Sequence, residues 1–186
     1  MRITGGRLKH RVVPAPQGTS TRPTTEAMRE ALFSSLSHRC DLDDLRVLDC
    51  YCGSGVLAFE ALSRGARSAV MIDNDAAVCR LVRSTATNLG LSEVVTIMKT
   101  DALHAIGTLS RHSIDLVFAD PPYAQRVCNS VAHSLAIHDV VRVGGLVVLE
   151  HDDVETLLPN SAWEPCTRLS YGTTVIDIIR RVATSS

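Results

Sequence analysis

No stretch of this 186-residue chain is apolar for the length that a bilayer-spanning helix needs, which excludes an integral helical membrane protein. The opening residues, MRITGGRLKHR, hold no apolar core that would act as an export leader. A cytoplasmic chain is therefore expected, with its six cysteines (40, 50, 52, 79, 128 and 166) as free thiols. No C-x-x-C pair occurs among them, so no metal site is expected. Internal repeats and low-complexity tracts are also absent, which excludes a repeat architecture. Acids are missing from residues 1–22, which carry Arg2, Arg7, Lys9, Arg11 and Arg22. That segment carries +5 within a net charge of −1, leaving −6 for the rest. A basic arm on an acidic body points to an anionic partner such as nucleic acid, or else to a solvated terminus.

What remains, 45% hydrophobic and 21% charged, is ordinary for a soluble globular protein with one substantial core. Residues 1–23 are broken by Gly5, Gly6, Pro14, Pro16, Gly18 and Pro23. They read as a basic arm holding at most a small hairpin, Arg2–Thr4 against Arg11–Val13. Residues 24–186 read as the domain proper. Its first helix is TTEAMREALFSSL, which Thr24 or Thr25 caps and in which Met28, Leu32 and Leu36 share a face. From Arg46 on, the apolar runs RVLDC, SAVMID, VVTIM, IDLVFA and GGLVVLEH alternate with helical patterns. TRLSYGTTVIDIIRR closes the chain as two strands turning at Gly172. This order predicts an α/β fold: a doubly wound, mostly parallel seven-stranded sheet with a C-terminal antiparallel hairpin. Ligands in such folds sit beyond the carboxyl ends of the strands.

Three carboxylates fall at those ends. VLDCYCGSGVLA places Asp49 at the end of the first strand and Gly53 and Gly55 at the turn into a helix, where glycine admits positive φ and close backbone approach. Asp73 ends the next strand and suits a pair of ribose hydroxyls. Asp101 follows the third strand and either meets an adenine amino group or caps a helix from Ala102. The glycine spacing also fits a dinucleotide fingerprint, so a nicotinamide-dependent oxidoreductase is a rival. Asp49 separates the two. A carboxylate there opposes a pyrophosphate but suits a phosphate-free cofactor with a cationic amino group and sulfonium, such as S-adenosylmethionine. Its alternative role is to cap the loop's own N–H groups.

The fourth strand runs into Asp120-Pro121-Pro122-Tyr123. Two prolines stop the ladder and stiffen the backbone. The motif presents one carboxylate, one carbonyl of fixed direction and one aromatic ring. Methyl transfer to an exocyclic amine uses such parts. Asp120 and the Pro121 carbonyl accept the two N–H bonds, and Tyr123 stacks on the base.

DPPY after an apolar strand, downstream of LDCYCGSG and an acid ending the next strand, resembles the class I S-adenosylmethionine-dependent methyltransferases that act on exocyclic or amide nitrogens. Across nearly the whole chain, RITGG, RPTTEAMREALFSSL, LDCYCGSGVLAFEALSRGA, DLVFADPPY and GGLVVLEH resemble the RsmD family of bacterial 16S rRNA guanine-N2 methyltransferases. The resemblance implies S-adenosylmethionine as cofactor and 16S rRNA or the small ribosomal subunit as partner, with no metal. It places Asp120, Pro121, Pro122 and Tyr123 at the guanine amine, and Asp49, Gly53, Gly55, Asp73 and Asp101 around the cofactor. Two motif positions depart from the family, Tyr51-Cys52 before the glycine loop and His10-Arg11 in the arm. Within enzymes the alternatives are an N6-adenine or protein-glutamine N5 methyltransferase. A non-catalytic RNA-binding chain on the same fold is set against intact cofactor and acceptor motifs.

Candidate RNA contacts are Arg7, Lys9, Arg11 and Arg22 in the arm and Arg29 on the first helix, whose alternative role is packing on the sheet. Cys50, Cys52 and Cys166 read as ordinary thiols, and His151 as a surface or supporting residue. The chain is expected to act as a monomer.

Overall fold

The computed structural model describes residues 1–16, 25–121 and 127–183. Strands β1 (Arg46–Cys50), β2 (Ser68–Asp73), β3 (Val95–Lys99), β4 (Ile114–Ala119), β5 (Val141–Asp152), β6 (Trp163–Tyr171) and β7 (Thr174–Arg181) form one sheet of order β3-β2-β1-β4-β5-β7-β6. The first five are parallel; β7 runs antiparallel to β5, and β6 antiparallel to β7. Helices α1 (Glu26–Ser37), α2 (Val56–Ser63), α3 (Ala76–Leu89), α4 (Ala102–Ile106) and α5 (Cys128–Ile137), with a single 3-10 turn at Ser92–Val94, complete the described elements. Central strands covered on both faces should read as continuous apolar runs, and all six residues of β4 are buried. Strand order reverses between β1 and β4, which opens a crevice at their carboxyl ends.

The caps follow the sequence. Thr25 accepts the Met28 N–H at the start of α1, Asp75 accepts those of Ala77 and Val78 at the start of α3, and Gly90 ends α3 with φ 72°. Strand β5 begins at Val141, three residues before the expected Gly144. There the Gly144-Gly145 pair punctuates the sequence without ending the strand, and the β4–β5 register shifts between Ile114 and Leu116.

The arm is a hairpin that shares the domain's core. Arg2 bridges Val12, the Ile3 N–H donates to the Arg11 carbonyl at 3.0 Å, and Ile3 and Val13 are fully buried. Helix α2 carries the hairpin. Every residue of α2 is buried, as an all-round apolar helix requires, including its polar Glu60 and Ser63. Both polar groups serve the hairpin backbone. Glu60 accepts the Thr4 N–H at 2.6 Å, and the Ser63 hydroxyl accepts the Leu8 N–H at 2.9 Å and donates to the Gly5 carbonyl at 2.6 Å. Gly6 sits at φ 76° against the Ser63 carbonyl, where any Cβ would clash with backbone.

Candidate active site

Parallel register builds the site. Asp49, Phe118 and Val148 form one row across β1, β4 and β5. Two residues further, the same face carries Asp120 past the end of β4 and Glu150 near the end of β5. Adjacent strands lie about 4.8 Å apart, so these two carboxyl groups are lateral neighbours. Asp49 and Glu150 are buried, and Asp120 is partly exposed. Burial first, and then the charges of Glu150 and Asp49, push the Asp120 carboxyl well above the usual carboxylate range. Asp49 is likewise raised by burial and by Asp73, against one backbone hydrogen bond from Ala58. Neither Asp49 nor Asp120 forms an ion pair among the described residues.

The loop leaving β1 is a tight coil. Tyr51, Gly53 and Gly55 all have positive φ (59°, 52° and 75°), and a non-glycine residue there stores on the order of 1 kcal/mol of strain. Gly55 is packed under Met71, whose Cε would lie 2.2 Å from an added Cβ. Around Gly53 an added Cβ would meet nothing closer than the Tyr51 carbonyl at 4.0 Å, so that side of the loop is open to a ligand. Asp73 ties the loop down, accepting the Gly53 N–H at 3.1 Å and the Asp75 N–H at 2.9 Å. Its carboxylate retains lone pairs for further donors. Asp101 is exposed and caps α4 by accepting the His104 N–H at 3.0 Å. Asp49 accepts the Ala58 N–H at 3.3 Å in the first turn of α2. Both its expected roles are compatible: one oxygen serves the helix, and a second remains.

The donor set fits a cationic, phosphate-free ligand. Asp49 occupies the α2 N-terminus that a pyrophosphate would claim, and the titratable groups acting on it and on Asp120 are carboxyls rather than the cations a phosphate needs. Among the described residues there is no cluster able to hold a metal ion, and no helix is long and apolar enough to cross a membrane.

Glu150 carried no sequence expectation. Its one signal was an acid closing the otherwise apolar run LVVLE. His151, expected at the surface or in support, is buried on the opposite face of β5. Its Nε2 lies 2.9 Å from Asp177, which Arg168 holds through two hydrogen bonds. Cys50 and Cys52 are buried, with burial raising both thiols. Pro121 is buried; Pro122, Tyr123 and Arg22 lie outside the described residues.

The other basic candidates do not gather at the acids. Arg7 and Lys9 are exposed at the hairpin turn beside Ser63, the far end of α2, and Arg11 donates to the Asn88 carbonyl at 2.7 Å near the end of α3. The eight residues of α2 set this turn about 12 Å from the glycine-loop end of the helix. The expectation for Arg29 as a phosphate contact is corrected. Its side chain is fully buried, donating to the Arg2 carbonyl at 2.7 Å and lying 3.7 Å from Glu60. A guanidinium so enclosed has no route to a phosphate.

The chain matches the family described as "Conserved hypothetical protein 95" over residues 1–180. It is 30% identical to the "Putative rRNA methyltransferase YlbH" of Bacillus subtilis, over 97% of this chain and 99% of that one. It is 36% identical to the "Ribosomal RNA small subunit methyltransferase D" of Escherichia coli, over 86% and 78% of the two chains. A solved structure, the "Putative methyltransferase yhhF from Escherichia coli", superposes with a TM-score of 0.86 at 27% identity, covering 99% of each chain. A family match over residues 1–180 and relatives named as methyltransferases over most of their length lead to one conclusion: the chain belongs to the Conserved hypothetical protein 95 family, that of the RsmD-type methyltransferases.

Proposed function

We propose that this chain transfers a methyl group from S-adenosylmethionine to the exocyclic N2 amine of a guanine in 16S rRNA, acting in the cytoplasm as a monomer. The observation that carries the proposal is the placement of Asp120 beside Glu150 and within electrostatic reach of Asp49 at the β1–β4 crevice. The cofactor supplies an electrophilic methyl on a sulfonium. Asp49 faces its cationic end, Gly53 gives its approach, and Asp73 and Asp101 take the hydroxyl and adenine groups. Asp120 accepts one N–H of the amine and the Pro121 carbonyl the other. Both contacts strengthen as positive charge builds on nitrogen, which is what accelerates transfer. Tyr123 stacks on the guanine. The names of the Bacillus subtilis and Escherichia coli relatives support ribosomal RNA over a protein acceptor.

Asp73→Ala is expected to weaken S-adenosylmethionine binding by about 1.5–3 kcal/mol, the worth of hydrogen bonds to a charged group. Isothermal calorimetry measures this directly. Normal affinity in the variant, or tight binding of NAD by the wild type, would remove the cofactor assignment.

Arg7, Lys9 and Arg11 define a second contact region for the RNA. A footprint reaching them extends about 12 Å from the glycine loop, beyond a single flipped nucleotide. Replacing all three with Gln should make the log–log salt slope of RNA binding shallower by about two to three, without changing cofactor affinity. An unchanged slope would show that this tip does not touch RNA. The whole proposal is tested by incubating labelled S-adenosylmethionine with 16S rRNA and with small-subunit particles from cells lacking the gene. Incorporation into either, dependent on the enzyme, is expected; incorporation into neither would overturn it.

A further inference from the structure

We infer that the outer side of α3, together with the end of β3, is a phosphate-contact surface for the RNA, carried by Arg80, Arg83 and Lys99. This rests on the RNA-methylation reading above and extends the footprint beyond the hairpin tip. Residues 76–99 hold Arg80, Arg83 and Lys99 against one acid, Glu93, within a chain of net charge −1. All three cations are exposed, and none makes a side-chain hydrogen bond or ion pair among the described residues. Strand arginines are used differently: Arg46 and Arg142 are spent on Asp115, Arg168 on Asp177 and Arg181 on Asp139. Arg80 and Arg83 stand three residues apart on α3, where side chains are surface neighbours and like charges repel. Asp75, the acid that precedes them, is occupied in capping the helix. A repulsive pair with no internal counterion is suited to a polyanion.

Placement makes the cations one track. Strand β3 is an edge of the sheet, and α3 packs on β2 and β3. The β2–β3 ladder sets Lys99 beside Asp73, so that end of the track meets the cofactor crevice. Burial and Asp73 raise the Cys79 thiol, while Arg83 and Lys99 act to lower it, so both cations lie around the same stretch of α3. At the other end, the hairpin's Arg11 donates to the Asn88 carbonyl at 2.7 Å. Arg80 and Asn88 are separated by about 12 Å along the helix, with Arg83 between them. The track therefore runs from the hairpin, along α3, to the edge of the crevice. Its contacts are to phosphates: they fix the register of the RNA and add affinity, and base choice is left to the crevice.

The test uses the full chain and reads RNA binding apart from methyl transfer. Binding of 16S rRNA by the variant Arg80→Gln/Arg83→Gln/Lys99→Gln is measured over a series of potassium chloride concentrations. The log–log salt slope should become shallower by about two to three, since each phosphate contact contributes about 0.7–0.9. Affinity for S-adenosylmethionine should hold, which shows that the variant is folded. The control is Arg67→Gln/Arg111→Gln, which removes exposed cations already paired with Asp44 and Asp139 and should leave the slope as in the wild type. An unchanged slope in the triple variant overturns the track. A control that loses as much slope overturns it too, because the attraction would then be spread over the whole surface. Methyl transfer to the same RNA is followed separately. Transfer by the wild type with no slope change in the triple variant removes the track alone. A slope change without transfer to guanine removes the methylation reading and leaves the track standing.

Discussion

Asp120→Ala is expected to lower single-turnover methyl transfer at least ~10²-fold, while leaving S-adenosylmethionine affinity within about threefold of wild type. Rate losses of that size accompany removal of one aligned hydrogen-bonding group where charge develops in the transition state. Asp120 reaches the crevice from the end of β4, whereas the loop that shapes the cofactor side is anchored from β2 through Asp73. The two proposed roles therefore separate by strand. Asp120→Asn, which keeps an acceptor oxygen, should retain part of the rate. Turnover near wild type in Asp120→Ala would remove the residue from the chemistry. A large loss of cofactor affinity would instead reassign it to the cofactor.

Glu60→Ala is expected to destabilise the fold by about 3–5 kcal/mol, the range found when one member of a buried ion pair is removed. Glu60 is fully buried and meets three groups at once. It accepts the Thr4 N–H at 2.6 Å, lies 3.7 Å from Arg29 and 3.4 Å from Arg64. Without it, the Arg29 guanidinium loses its carboxylate partner, the Thr4 N–H loses its acceptor, and the hairpin, α1 and α2 lose their shared joint. The melting temperature should fall by roughly 6–20 °C for a chain of this size. Met1 lies 4.0 Å from Ser54 in the glycine loop, through Sδ and Oγ. Loosening the hairpin should therefore weaken cofactor binding before global unfolding. Denaturant unfolding followed with calorimetry measures both. A midpoint indistinguishable from wild type would show that the three segments are not joined through Glu60.

The contrast between these two residues shows what the sequence made legible. Asp120 announced itself because its neighbours are unusual: an apolar strand, then two prolines and an aromatic. Asp49, Asp73 and Asp75 were readable for a related reason, since strand ends and helix starts have local signatures. Glu60 and Arg29 have none. Arg29 follows Met28 on α1 at a position that helical spacing leaves ambiguous, and its burial is decided by the hairpin lying across it. Glu60 sits inside the apolar run VLAFEALS, and only the docked Thr4 N–H gives it a reason to be there. Glu150 was hidden in the same way, because its neighbour Asp120 comes from another strand. The basic tip was legible as charge but not as place: Arg7 and Lys9 lie at the far end of α2 because the hairpin runs down the helix that Glu60 and Ser63 prepare for it. Local chemistry reveals capping and strand-end residues, while partners brought from 30 or more residues away are set by tertiary packing.

The most direct measurement is the identity of the modified nucleoside. Small-subunit RNA from cells lacking the gene is treated with the pure enzyme and S-adenosylmethionine carrying a labelled methyl, then digested to nucleosides and separated with mass detection. The predicted result is a single labelled product, N2-methylguanosine, absent when Asp120→Ala replaces the wild type. Label in N6-methyladenosine, or label found in protein and not RNA, would contradict it.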